Sequence, residues 1–384
     1  MKAIFIHDHK ISVRDNKLYS NGGINKGVVN RYLSVFDSIA FATRLKDDSY
    51  TENLTLIGDR SKIQYFPMKD LAKLKYSNYS KNYQLLSEVI SQFDFAILRL
   101  PSLMGLLGLK IAKKKNIPYA IEVVGCANDS YKLYGGLQGL LISYPMFYWT
   151  KKSVWHSNNV LYVTSSFLQG RYPSKANNQI NCSNVEIVID DTFLDKRKIF
   201  MDDTRDRIKL GMIGALGSKY KGFDTAIKAM SNLIDLGHKG YFLEIVGGGD
   251  SDEIVNLIKK HNLSQYVKII GTLSHPDGIF AWLDSIDIYL HPSRVEGLPR
   301  ALIEAISRAC PCVGANVGGI PELLDEEVLH EKDDYNRLTE LVLELKESSI
   351  AMEQSLNNFN KAKEYSKVNL DQKRTEFYRQ AITL

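Results

Sequence analysis

Residues 291–305 read His291-Pro292-Ser293-Arg294-Val295-Glu296-Gly297-Leu298-Pro299-Arg300-Ala301-Leu302-Ile303-Glu304-Ala305. The apolar run 286–290 ahead of them has the length of a buried strand. Pro299 suits a first helical position, where its missing N–H costs nothing. The apolar residues that follow continue a helix until Cys310-Pro311 ends it. Strand, sharp turn and helix is how α/β proteins build ligand sites at strand ends. Glu296 falls in the turn and Glu304 in the second helical turn. Gly297 and Leu298 stand at the helix N-terminus, where backbone N–H groups favour an anion. The offset between the two carboxylates spans at most about 12 Å at 1.5 Å per residue. That fits an extended ligand such as a nucleotide-sugar better than one reacting bond.

The same pattern extends outward in both directions. Strands are expected over residues 2–6, 96–100, 119–124, 160–164 and 186–189. A second series is expected over 208–213, 241–246, 267–270, 286–290 and 312–315, with helices over 223–236, 252–260 and 299–309. Such alternation predicts parallel sheets covered by helices on both faces. The charge-rich stretch 190–207 reads as a linker between two α/β halves. A chain of 384 residues accommodates two domains and a tail: 1–195, 196–365, and a helix over 366–384 packing back on the first half.

Composition narrows the class. With 44% hydrophobic and 24% charged residues the chain is an ordinary globular one. No apolar run is long enough for a spanning helix. The start, Met1 to His7, reads as a strand and not as a signal peptide, so a cytoplasmic protein is expected. Four scattered cysteines have neither zinc-finger nor redox spacing, and His7-Asp8-His9 lacks a further ligand cluster; no metal is expected. A net charge of +5 permits anionic ligands or a membrane surface, and no nucleic-acid partner is expected.

Glycine turns mark further strand ends. Gly22-Gly23 leads into a helical run from Val28. Gly214 to Gly222 carries Lys219 and Lys221, suited to neutralising a diphosphate. Gly247 lies in a turn after a strand, and His275 follows another, where it could cover a base ring. Glu122, within a strand, reads as structural; Asn128 and Asp129 beyond it are candidate acceptor-side groups. Residues 131–152 are dense in aromatic and aliphatic side chains and close on Lys151-Lys152. Aromatics flanked by lysines suit a membrane interface, and a buried core helix is the alternative.

Together these segments resemble the family 4 retaining glycosyltransferases of GT-B fold. Glu296-Gly297-Leu298-Pro299 to Glu304-Ala305 resembles that family's E-x7-E signature. Gly318-Gly319-Ile320-Pro321-Glu322 resembles its G-G-[IV]-P-E turn, Lys221-Gly222 its K-G phosphate motif, and Gly22-Gly23 its N-terminal glycine loop. The likeness is dense over residues 208–325 and diffuse before them. It implies two Rossmann-like domains facing each other across a crevice, the first binding acceptor and the second a nucleotide-sugar. It implies that Glu296 contacts the donor sugar and Glu304 the ribose. Lys221, with the backbone of Gly297 and Leu298, would hold the diphosphate as charge develops. Gly22, Gly23, Lys219, Arg294, Gly247 and His275 complete the implied donor site. No cofactor and no metal are implied; the nucleotide-sugar, a UDP-sugar in preference to a GDP-sugar, is a substrate. The acceptor would be a glycan or polyprenyl-linked glycan of O-antigen, capsule or exopolysaccharide synthesis, reached at the inner face of the membrane. Two positions depart from the pattern. Gly214-Ala215 replaces the usual Gly-Arg, leaving Lys219 or Arg294 as substitutes. Gly125-Cys126-Ala127 stands where many members carry a His. The rival readings are a silent nucleotide-sugar-binding subunit, or another GT-B-like enzyme such as an epimerase or a phosphorylase.

Overall fold

Hydrophobic runs that alternate with amphipathic segments fold into two α/β units built on largely parallel sheets in the computed structural model. It describes residues 1–20, 23–46, 54–60, 63–71, 75–134, 136–202, 207–274 and 276–383. The first unit comprises Met1–Cys182 and Leu370–Leu384, the second Ser183–Asn369. The break falls ahead of residue 195, and residues 192–202 of the expected linker are not one. Thr192–Asp202 form a helix of the second unit. The reason is Arg197, whose buried guanidinium donates to the carbonyls of Ile286 at 2.6 Å and Leu283 at 2.9 Å. One charge of an apparently solvated run therefore satisfies buried backbone.

The second unit holds a six-stranded parallel sheet. Its spatial order is Val267–Gly271, Tyr241–Val246, Ile208–Ile213, Ile288–His291, Cys312–Ala315 and Leu329–His330. The helix Phe223–Asp235 shows why the layers close. Phe223, Ala226, Ile227, Met230 and Leu233 recur at helical spacing, are buried, and pack with Leu210, Leu243 and Leu290. Residues 186–189 do not form a strand; Ile187 makes only an isolated bridge to Ser366.

The first unit has a nine-stranded sheet. The strand Lys2–Arg14 runs well past residue 6, turns through Asp15-Asn16 at positive φ, and pairs antiparallel with Lys17–Ser20. It also pairs in parallel with Ser38–Leu45 and with Phe95–Leu100. The helix Lys367–Thr383 contributes Leu370, Arg374, Phe377 and Tyr378 to this unit's core. The Tyr378 ring lies 5.7 Å from that of Phe36 and 5.9 Å from that of Tyr32. Its hydroxyl donates to Glu122 Oε1 at 2.7 Å, beside the Tyr32 hydroxyl at 2.9 Å. Arg99 donates to Glu122 Oε2 at 2.7 Å. Burial alone would raise the Glu122 carboxyl, but Arg99 and Arg374 hold it at about 2.

Candidate functional site

The C-terminal ends of the second unit's strands bring its glycine turns together backbone to backbone. Gly214 N–H donates to Val246 at 3.0 Å and Leu216 N–H to Gly248 at 2.9 Å. Gly319 N–H donates to the Gly297 carbonyl at 2.8 Å, and Arg294 N–H to Tyr220 at 2.7 Å. Glycine is needed at three further close approaches between these turns. A Cβ on Gly222 would overlap the Pro292 carbonyl, one on Gly318 that of Glu296, and one on Gly247 that of Gly214. Gly222 and Gly318 also have φ of +73° and +60°, the left-handed region where side chains are strained.

Two of these turns join Lys221 to Glu296. Lys221 Nζ donates to Glu296 Oε1 at 2.6 Å. The same oxygen lies 3.0 Å from His291 Nε2. His291 is buried, and its Nδ1 lies 3.3 Å from the Tyr289 hydroxyl. Burial lowers the His291 pKa, against the opposing pull of Glu296, and burial raises Tyr289. A neutral imidazole with its proton on Nε2, accepting from Tyr289 at Nδ1, satisfies both contacts. Burial would raise the Glu296 carboxyl, but the Lys221 charge and the His291 bond bring it to about 2. Both bonds fall on Oε1; Oε2 takes none among the described residues. The site is a fixed carboxylate with one oxygen tethered, beside a lysine ammonium. It can accept from a hydroxyl and offer a cation to a phosphate.

The remaining expected residues fall in several places. Glu304 is on the helix Arg300–Ser307 and largely buried. Pro299 is the cap of that helix and not its first residue, because its ψ of 111° is extended. Gly297 and Leu298 lead into the cap. Arg294 is committed within the protein: its guanidinium pairs with Asp224 at 2.7 Å and Asp333 at 2.5 Å, and bonds the Lys219 carbonyl at 2.5 Å. Lys219 projects outward with its side chain 79% exposed, 3.5 Å from Glu253. Gly247 serves the close approach to Gly214. Gly23 packs on the His9 ring ahead of the helix Lys26–Leu33. Gly22 and His275 lie outside the described residues. Asn128 and Asp129 are not in a loop but in the first turn of the helix Ala127–Tyr134, with Asp129 3.8 Å from Arg171.

His291 and Tyr289 were not singled out from sequence. Their signal was a histidine closing an apolar strand just before Pro292-Ser293, two residues after a tyrosine on the same strand face. In the first unit, Asp8 of the His7-Asp8-His9 run has a structural role. Its carboxylate accepts from Leu103 N–H at 2.7 Å and Met104 N–H at 3.3 Å, capping the helix Leu103–Lys115.

Residues 196–364 match the family described as glycosyl transferases group 1. Protein CapJ of Staphylococcus aureus is 31% identical over 344 residues, covering 89% of this chain and 85% of CapJ. The chain belongs to the group 1 glycosyl transferases. The O-antigen biosynthesis glycosyltransferase WclY of Escherichia coli is 28% identical over 112 residues, 29% of this chain and 30% of WclY. Among solved structures, Anabaena Alr3699/HepE in complex with UDP and glucose superposes with a TM-score of 0.68 at 14% identity, covering 99% of both chains. This group 1 glycosyl transferase therefore has the GT-B fold, two Rossmann-like domains with parallel sheets.

Proposed function

We propose that the protein transfers a sugar from a nucleotide-diphosphate donor, a UDP-sugar, to a glycan or lipid-linked acceptor of surface-polysaccharide synthesis. The single observation that carries this reading is the Lys221–Glu296–His291 cluster at the strand ends of the second unit. In this account Glu296 Oε2 accepts a donor-sugar hydroxyl while Oε1 stays fixed. Lys221 and the exposed Lys219 neutralise the diphosphate. Glu304 holds the ribose. Arg294 acts indirectly by bracing the 219–224 turn against Asp224 and Asp333. The anomeric carbon–phosphate oxygen bond breaks as an acceptor hydroxyl oxygen bonds to the same face. The acceptor proton passes to the departing phosphate oxygen, giving retention without a metal. Charge grows on that oxygen in the transition state, where a preorganised cation matters most.

The wider setting draws on WclY, named for O-antigen biosynthesis, and on HepE, solved with UDP and glucose. A lipid-linked acceptor places the reaction at the inner face of the plasma membrane. No helix among the described residues is long and apolar enough to cross it.

Donor binding tests the reading, because a ligand of the native state raises its stability. A UDP-sugar present at 100 times its Kd is expected to add about 2.7 kcal/mol and raise the Tm by a few degrees. The rise should shrink in Lys221→Ala. No shift with any UDP-, GDP-, ADP- or dTDP-sugar would reject the donor site. A shift without turnover would favour a silent binding subunit.

A further inference from the structure

A groove of about 870 Å³ crosses the first unit far from the glycine turns in sequence. It runs between the helices Tyr76–Val89, Leu103–Lys115 and Gly136–Trp155. Leu103, Leu106 and Leu107 line it with Tyr79 and Trp149. Lys110, Lys113 and Lys152 also line it, and among the described residues no Asp or Glu does. The lysines lie against aromatic rings: Lys152 Nζ is 5.6 Å from the Trp149 ring centroid, and Lys110 Nζ donates to the Tyr79 hydroxyl at 3.1 Å. Partial burial and then the charge of Lys152 lower the Lys113 pKa, so an added anion would relieve this cluster.

An exposed apolar row lies on the helix that supplies Trp149 and Lys152. Leu137, Leu141, Tyr144 and Tyr148 recur at helical spacing along Gly136–Trp155. The first three are 82%, 77% and 72% exposed. Soluble monomers rarely leave such apolar rows uncovered. A second copy of the chain is a poor cover, because a twofold contact sets the same patch against itself and brings like charges together.

We propose that this groove and row form a lipid site. An anionic phospholipid of the bilayer would place its phosphate against Lys110, Lys113 and Lys152 and one acyl chain along the leucine floor. The exposed row would rest in the interface beside it. The site deepens the membrane-face part of the proposed function and rests on it, but uses none of the transfer chemistry.

Co-sedimentation with phosphatidylcholine vesicles, with and without phosphatidylglycerol, tests it using the full chain. Binding is expected only with phosphatidylglycerol, and the triple variant K110E/K113E/K152E should bind about 100-fold more weakly. These lysine side chains have exposed ends, and the folded state of the variant is checked by its circular dichroism. Phosphatidylglycerol with brominated acyl chains should quench wild-type tryptophan fluorescence, and W149F should lose part of that quenching. Four results would overturn the site: equal binding to neutral vesicles, quenching that W149F leaves unchanged, binding only when a polyprenyl phosphate is added, or a dimer that L141E/Y144E dissociates without any vesicle binding. Sugar transfer to a soluble acceptor should be unchanged in the triple variant. A protein that binds these vesicles but transfers no sugar would overturn the donor-site reading and leave this one standing.

Discussion

Glu296 is a carboxylate held below its usual range in a buried place, and that has a consequence for stability. Its folded pKa of about 2 lies below the ordinary value of 4.5. The folded state therefore binds fewer protons than the unfolded chain between these values. The contribution is fully present above about pH 5 and is lost as pH falls towards 2. It amounts to no more than about 3.5 kcal/mol, from 1.36 kcal/mol per pKa unit. Glu122 shares the window, so the informative quantity is a difference between proteins. The stability advantage of wild type over Glu296→Gln in urea should be largest near neutral pH and shrink between pH 5 and 2. An advantage independent of pH would mean that Lys221 and His291 do not hold the carboxylate ionised. The sequence made Glu296 and Lys221 conspicuous through their turns. It hid His291, because a histidine at a strand end carries no sign of burial until the strand is placed.

At the scale of elements, the strand–turn–helix around residues 286–307 was legible because its parts agree: an apolar run, Gly and Pro in the turn, then helical spacing. The glycine turns were legible for the same reason, though their purpose was only half visible. Gly222 and Gly318 serve tight backbone crossings onto Pro292 and Glu296. Each Gly→Ala change should cost roughly 1–3 kcal/mol of stability, read by urea unfolding, because it combines a strained φ with a clash. Gly318→Ala should also weaken donor affinity, since the carbonyl it would displace belongs to Glu296. A variant of full stability and affinity would show that the crossing is not tight. Less legible were the first unit's strands Ser38–Leu45, Thr55–Asp59 and Gln64–Met68. Ser38–Leu45 mixes small, aromatic and charged residues, so neither strand nor helix period stands out. The hairpin at Asp15-Asn16 did carry a signal, two turn-forming residues between strand-like runs, which the reading of a strand ending at residue 6 passed over.

Across the whole molecule, alternation of strands and helices pointed to two α/β halves, and the chain forms two such units. The boundary was misplaced because charge density was equated with solvation. Arg197 instead donates its guanidinium to buried carbonyls, something only the tertiary fold supplies. The tail from residue 370 returns to the first unit, where Tyr378 and Tyr32 share Glu122 with Arg99. An acidic residue inside a buried strand was read as structural, but its partners come from distant stretches that no local pattern connects. The lipid groove is also a product of the whole unit. The aromatic stretch 131–152 is visible in the sequence, while Leu103, Leu106 and Tyr79 reach the groove from two other helices.

In the proposed reaction the Lys221–Glu296 pair serves donor turnover with retention. Proton NMR of the sugar released or transferred from an α-linked UDP-sugar tests it most directly, read early enough to precede mutarotation. An α-configured product is expected in the presence of EDTA, formed at least about 100-fold more slowly by Glu296→Ala. A β-configured product, loss of activity on metal removal, or undiminished turnover in Glu296→Ala would contradict it.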